Sequence, residues 1–203
     1  MGLHPEGEVL DITISKGFTA AERSQIAALY WEAFGPKLSV VLGPEEKGLA
    51  FVTAQLQPGF ALVARDPSSN VIGVAGFKTA EGAFVGGGLR DLAAVFGWLS
   101  VIWRAPLLSL VERDLDKDIL LMDGICVGPQ ARGHGVGTAL LCAIKEEARQ
   151  RGKSAVRLDV IDTNPRAKAL YLREGFTEEG EERLGPLSRI FGFGSATRML
   201  CQV

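Results

Sequence analysis

The sequence predicts an α/β fold: one domain over residues 1–203, with a mixed, largely antiparallel central sheet flanked by helices and a helical insert at about 80–117, before the central strand. Three observations predict it. Short runs rich in Val, Ile and Leu alternate with longer stretches of helical spacing. Two of those runs, Phe60–Arg65 and Val71–Thr79, are joined by Asp66-Pro-Ser-Ser-Asn70, a turn by composition. A third, Asp118–Val127, leads into a turn with glycine at 133, 135 and 137, and a helix starts directly after it.

The elements follow in order. Val9 to Ser15 reads as a strand. Thr19 opens a helix, with Glu22 completing a capping box in which each side chain serves the other's backbone N–H. That helix carries Ile26, Leu29, Tyr30 and Ala33 on one stripe, and Gly35-Pro36 ends it. Pro44 suits the first turn of a second helix, which stops at Pro58-Gly59. After the two joined strands comes the insert. Leu89 to Glu112 is one helix or two, broken near Arg104-Ala-Pro106, with Phe96, Trp98, Leu99 and Trp103 giving an apolar surface. It packs on the domain's own core or forms a substrate lid or homodimer surface. The central strand follows, then a helix closed by Gly152, then a strand from Ala155 to Asp162. Asn164 is a natural N-cap, Pro165 a natural first helical residue and Gly175 a natural helix stop. Phe176–Leu184 and Ser195–Cys201 close the sheet around the loop 185–194.

Composition narrows the function. Hydrophobic content of 47% and charged content of 23% are ordinary for a globular chain. A net charge of −2 gives no electrostatic case for nucleic acid or an anionic membrane. The longest apolar run, Leu92–Trp103, is too short to span a bilayer. Cys126, Cys142 and Cys201 lack metal-ligand spacing and read as small buried hydrophobes, so no metal is expected. With no basic-then-apolar leader, the expected location is the cytoplasm.

The turn between Val127 and Thr138 carries the chemistry. Bare glycine backbone lets a ligand approach, and a helix start presents unpaired N–H groups to an anion. A P-loop is excluded: Gly128 to Gly133 has its spacing, but His134 stands where the lysine is needed. A dinucleotide fingerprint fails at its third position, which is Thr138 or Leu140. The run Arg132-x-x-Gly135-x-Gly137 instead resembles the acyl-coenzyme A motif of the GNAT N-acetyltransferase superfamily. Asn164-Pro-Arg-Ala167-Lys-Ala-Leu-Tyr171, then Gly175-Phe176, resembles the second half of that family's site. The close resemblance covers about residues 118–177.

That resemblance implies acetyl-coenzyme A as co-substrate. Its diphosphate would meet the backbone of Arg132, Gly133, His134, Gly135, Val136, Gly137 and Thr138, with Arg132 adding charge. The resemblance also implies that the central strand splays from its neighbour, leaving the backbone of Ile125, Cys126 and Val127 to pair with pantetheine. The Val127 N–H would then face the carbonyl oxygen as charge develops. Tyr171 is placed at the coenzyme sulfur as proton donor, with Ala167 and Asn164 on the same helix face as further contacts. For the general base two acids compete with ordered water. Asp123 is an unexpected acid mid-strand, on the side of Ile119, Leu121, Ile125 and Val127; Asp159 shares a face with Arg157, which offers it a structural ion pair. No Cys or Ser nucleophile has a partnering His, so direct attack by a primary amine is expected, from a small molecule or a peptide N-terminus. The alternatives are a longer acyl donor and a non-catalytic acyl-coenzyme A sensor.

Overall fold

The computed structural model describes residues 11–96 and 116–203. Its sheet is mixed and largely antiparallel, with helices on both faces, as the sequence predicts. Eight strands are described: β1 (Thr13–Lys16), β2 (Ala61–Arg65), β3 (Val71–Thr79), β4 (Gly82–Ala83), β5 (Ile119–Val127), β6 (Ala155–Ile161), β7 (Thr177–Arg183) and β8 (Ser195–Gln202). They are ordered β1-β2-β3-β5-β6-β8-β7, with β4 beside β3. Only β5 and β6 pair in parallel among them.

One face is covered by α1 (Arg23–Leu42), α2 (Glu45–Gln55) and α3 (Leu89–Phe96). The other carries α4 (Val136–Gln150) and α5 (Pro165–Arg173). On α4, Val136, Leu140, Leu141, Ile144 and Ala148 fall on one face and are almost wholly buried under β2, β3, β5 and β6. That buried face fixes where the helix begins, and so where its N-terminus points. Truncating Leu140 to Ala would cost about 2–5 kcal/mol. A buried acid adds a second anchor: Glu147 meets Lys16 of β1 at 2.5 Å and Arg151 at 2.6 Å. Burial raises its pKa, but the two hydrogen-bonded cations outweigh that and hold it below the usual carboxylate value.

Several expectations need correction. The helix opened by the Thr19–Glu22 box does not stop at Gly35-Pro36 but continues to Leu42. Proline removes one backbone bond there, yet Val41 and Leu42 beyond it are buried, and tertiary packing outweighs the local break. Gly35 stays because a Cβ would meet the Trp31 indole at 2.8 Å. Ala33, expected on the apolar stripe, is exposed; Trp31 takes the buried place. Cys142 is exposed on the outer side of α4 rather than buried. The loop 185–194 contains a short helix, α6 (Ser188–Phe191), which buries Phe191. In the insert, Leu89–Phe96 is helical; Trp98, Leu99 and Trp103 lie outside the described residues. The strip of acids on β7 is an exposed edge strand, with Glu182 on Arg198 at 2.8 Å and Glu178 on Lys168 at 3.0 Å.

Candidate active site

The parallel pairing of β5 with β6 ends early. It joins Ile119, Leu120 and Leu121 to Ala155, Val156 and Arg157 and goes no further. On its other edge β5 stays with β3 as far as Val127. The two strands therefore part beyond Leu121 and leave one edge of β5 open. The Gly128 N–H donates to Ile72 O at 2.9 Å on the β3 side. Backbone groups alternate along a strand, so the Val127 and Ile125 N–H groups point the other way, into the gap.

At the wide end of the gap lies a cavity of about 570 Å³ lined by Val127, Ala131, Arg132, Gly133, Gly135–Thr138, Arg166, Ala167, Leu170 and Arg173. The start of α4 forms one wall and α5 the other. Its glycines answer different demands. Gly133 and Gly135 have φ of +84° and +82°, a left-handed conformation that strains any residue with a Cβ, and open space surrounds both. Gly137 has ordinary backbone, but a Cβ there would meet Leu170 Cδ2 at 3.0 Å, so it lets α4 and α5 close together. The first turn of α4 holds no acid, so its N–H groups and dipole are left for an anion.

The cradle residues expected from the sequence thus come together. His134 is exposed, its Nδ1 3.1 Å from the Arg132 carbonyl. Arg132 donates from Nε to Val127 O at 3.0 Å and pairs with Glu32 at 2.9 Å, which ties α1 to the turn. Asn164 is exposed and caps α5, its side chain accepting from the Ala167 N–H at 3.2 Å. Sequence reasoning missed Arg166 and Arg173. The signal was present: with Leu170 they fall at i, i+4 and i+7 on α5, one stripe that borders the cavity. If these arginines hold phosphate, the double variant Arg166→Gln/Arg173→Gln should bind coenzyme A several-fold more weakly at low salt. The gap to wild type should shrink as salt rises, because exposed charges are screened; calorimetry at two salt concentrations reads this.

Tyr171 is buried among the residues beneath α4 and α5, its ring 5.9 Å from that of Phe176, and it does not line the large cavity. Burial pushes its pKa above the ordinary tyrosine value, so the phenol keeps its proton.

Asp123 lies elsewhere, and for a reason the alternating pattern hides. Phe77 pairs with Met122 and Gly76 with Gly124, so Asp123 is an extra residue in β5, a β-bulge. One extra residue reverses the face of everything after it. Leu120 and Met122 before the bulge, and Ile125 and Val127 after it, pack toward α4. Leu121 and Asp123 face α1 and α2 instead, where they line a second cavity of about 350 Å³. The expected common side of Asp123, Ile125 and Val127 is therefore wrong. Cys126, buried, turns toward α1 as well. Solvent reaches Asp123, yet the surrounding walls raise its pKa to about 6 by desolvation; Lys78 and a backbone hydrogen bond at Phe84 pull the other way. Tyr30 of α1 lines the same cavity. Asp159 is held by Arg157 at 3.4 Å, both side chains largely buried, which is the structural pairing its position offered. No group of three His, Cys, Asp or Glu suited to a metal occurs among the described residues, and no described helix is long and apolar enough to cross a membrane.

A sequence model of the acetyltransferase (GNAT) family matches residues 24–176. The acetyltransferase Atu2258 of Agrobacterium fabrum is 46% identical over 61 residues, 30% of this chain and 42% of that protein. An aminoglycoside N(6')-acetyltransferase type 1 of Klebsiella aerogenes is 35% identical over 72 residues, 36% of this chain and 47% of that one. The chain thus spans less than half the length of these curated relatives. The structure of a GCN5-related N-acetyltransferase from Kribbella flavida superimposes with a TM-score of 0.64 at 17% identity, covering 95% of this chain and 98% of that one, which shows the shared fold.

Proposed function

The chain belongs to the GNAT acetyltransferase family, and from that premise we propose that it is an N-acetyltransferase that moves an acetyl group from acetyl-coenzyme A to a primary amine. The observation that carries this reading is the parting of β5 from β6 directly above the bare start of α4. Together they offer an extended ligand a strand edge to pair with and its anionic end a helix N-terminus. The residues present fit such a ligand: backbone N–H groups from Gly133 to Thr138 without a competing acid, and Arg132, Arg166 and Arg173 around the rim. Acetyl-coenzyme A supplies the acetyl group, its carbon–sulfur bond breaking as the acceptor's nitrogen–carbon bond forms.

The chain's own groups supply the rest. The Val127 N–H, aimed into the gap, stabilises charge on an oxygen placed there. Asp123 accepts the proton that the amine loses. With a pKa near 6 it is ionised at neutral pH and still basic enough to act. Tyr171, which holds its proton through burial, is the donor to the departing sulfur. The acceptor is an amine because a carboxylate in a cavity attracts a cationic group; the ammonium sheds its first proton to solvent, and Asp123 takes the second as the nitrogen attacks.

The pH profile tests the base. Protonating Asp123 removes its function, so activity is lost as pH falls through about 6. An amine that reacts only when neutral adds its own rise with pH. A plot of log kcat/KM against pH should therefore climb with slope two below about 6 and slope one above it. Asp123→Asn should lower the rate and leave slope one throughout; a bend that survives in the variant would remove Asp123 from the role. The activity itself is checked by following free thiol release from acetyl-coenzyme A across a panel of amines, amino acids and peptide N-termini. Binding of acetyl-coenzyme A without release on any acceptor would favour a sensor.

A further inference from the structure

The 350 Å³ cavity around Asp123 has a composition of its own. Its walls are apolar: Leu38 and Leu42 from α1, Phe51 and Val52 from α2, Val85 beyond β4, and Leu92 from α3. Tyr30 adds an aromatic face, packed edge-on against Phe84 with ring centres 5.6 Å apart. The described lining includes two charged residues, Asp123 and Lys78. Lys78 stands opposite Leu121 in the β3–β5 register, on the sheet face that Leu121 and Asp123 share. The two do not touch: no ion pair joins them among the described residues, although Lys78 lies close enough to act on the Asp123 carboxylate. Nor is any other carboxylate of the described residues paired with Lys78.

An ammonium and a carboxylate held apart on one side of an apolar cavity form an unusual pair. Opposite charges this close gain most by contact, and a half-buried ammonium without a counter-ion is poorly placed. A ligand that carries both signs satisfies both: its ammonium on Asp123, its carboxylate on Lys78. The remaining surface then accepts only an apolar substituent. The volume lies at the low end for small-molecule sites, which favours a compact ligand over a polycyclic one. A polycation would gain one favourable charge at Asp123 and meet repulsion from Lys78 beside it.

We propose that the acceptor is a free α-amino acid with an apolar side chain, its α-amino group at Asp123, its α-carboxylate at Lys78, and its side chain between α1, α2 and α3. This rests on the acetyltransferase reading and gives its site a substrate class. Lys78 is a specificity residue in this scheme and takes no part in the proton transfers. A peptide N-terminus lacks the α-carboxylate and is a poorer acceptor, as is an aminoglycoside.

The test is a matched acceptor series with acetyl-coenzyme A, read by thiol release: leucine, glycine, leucinamide, isoamylamine and an aminoglycoside. Leucine should exceed leucinamide and isoamylamine in kcat/KM by at least tenfold, and should exceed glycine by a similar factor. Lys78→Met should bring leucine down to the level of leucinamide while leaving leucinamide nearly unchanged when both are compared well above pH 6, where Asp123 is ionised with or without the lysine beside it. Lys78→Arg should restore most of the preference. Melting temperatures of both variants, expected near wild type for a partly exposed side chain, show that folding is intact. Equal or better turnover of leucinamide or the aminoglycoside, or a leucine preference that survives Lys78→Met, overturns the amino-acid assignment while leaving the transferase reading standing. No thiol release with any acceptor, by protein that binds acetyl-coenzyme A, overturns both.

Discussion

Replacing Gly135 by Asp should weaken coenzyme A binding at least tenfold, about 1.4 kcal/mol or more. Two effects add. Gly135 sits at φ +82°, directly before the first turn of α4, and lines the large cavity. A side chain there fills space beside the N–H groups that would hold a diphosphate, and a carboxylate adds like-charge repulsion to the ligand. It also caps those N–H groups itself, removing the donors an anion needs. Backbone strain contributes separately, of order 1–2 kcal/mol for an ordinary residue in the left-handed region and less for Asp, which tolerates it. Gly135→Ala separates the terms, since it carries the strain without the charge. Calorimetry should rank wild type above Ala and Ala above Asp. A folded Asp variant that binds coenzyme A as tightly as wild type would remove the cradle from the site.

The cradle was legible because its requirements are local. Positive φ at alternate glycines, a helix starting next, and an arginine ahead of the turn all show in a dozen consecutive letters. The α5 cap was legible for the same reason: Asn164 before Pro165 is a complete local instruction. The face of Asp123 was not. Alternation assigns faces correctly until a bulge intervenes, and whether β5 bulges depends on its pairing with β3, where Phe77 meets Met122 and Gly76 meets Gly124 from far along the chain. The run of α1 through Pro36 was hidden likewise, because the burial of Val41 and Leu42 is a tertiary fact. The cavity between α1, α2 and α3 needs three tertiary features at once. Without the longer α1, Leu38 and Leu42 have no wall to form; without the bulge, Ile125 and Val127 would stay on the face of Asp123; without the β4 hairpin, Val85 and Phe84 have no place. The site proposed for the acceptor is therefore the part of the molecule that only the assembled fold displays.

The hydroxyl of Tyr171 should matter to rate and hardly at all to binding. Tyr171→Phe keeps the ring against Phe176 and within the core beneath α4 and α5, and removes only the proton that burial holds in place. Coenzyme A affinity should be nearly unchanged, since the role proposed for the hydroxyl comes only as the carbon–sulfur bond breaks. Turnover with a working amine should fall about 10²-fold, the low end for general acid catalysis. A loss in kcat at nearly constant binding marks an interaction made chiefly in the transition state. The structure supplies an internal control in Tyr30, a second tyrosine whose pKa is raised by burial, on the opposite face of β5 and in the cavity with Asp123. Tyr30→Phe should alter the acceptor's KM more than kcat, because that ring lines the cavity proposed for the acceptor. Should Tyr30→Phe instead lose the rate while Tyr171→Phe turns over normally under conditions where chemistry limits, the proton donor stands on the Asp123 side of the sheet. The departing sulfur would then have to be reached from α1 rather than from α5.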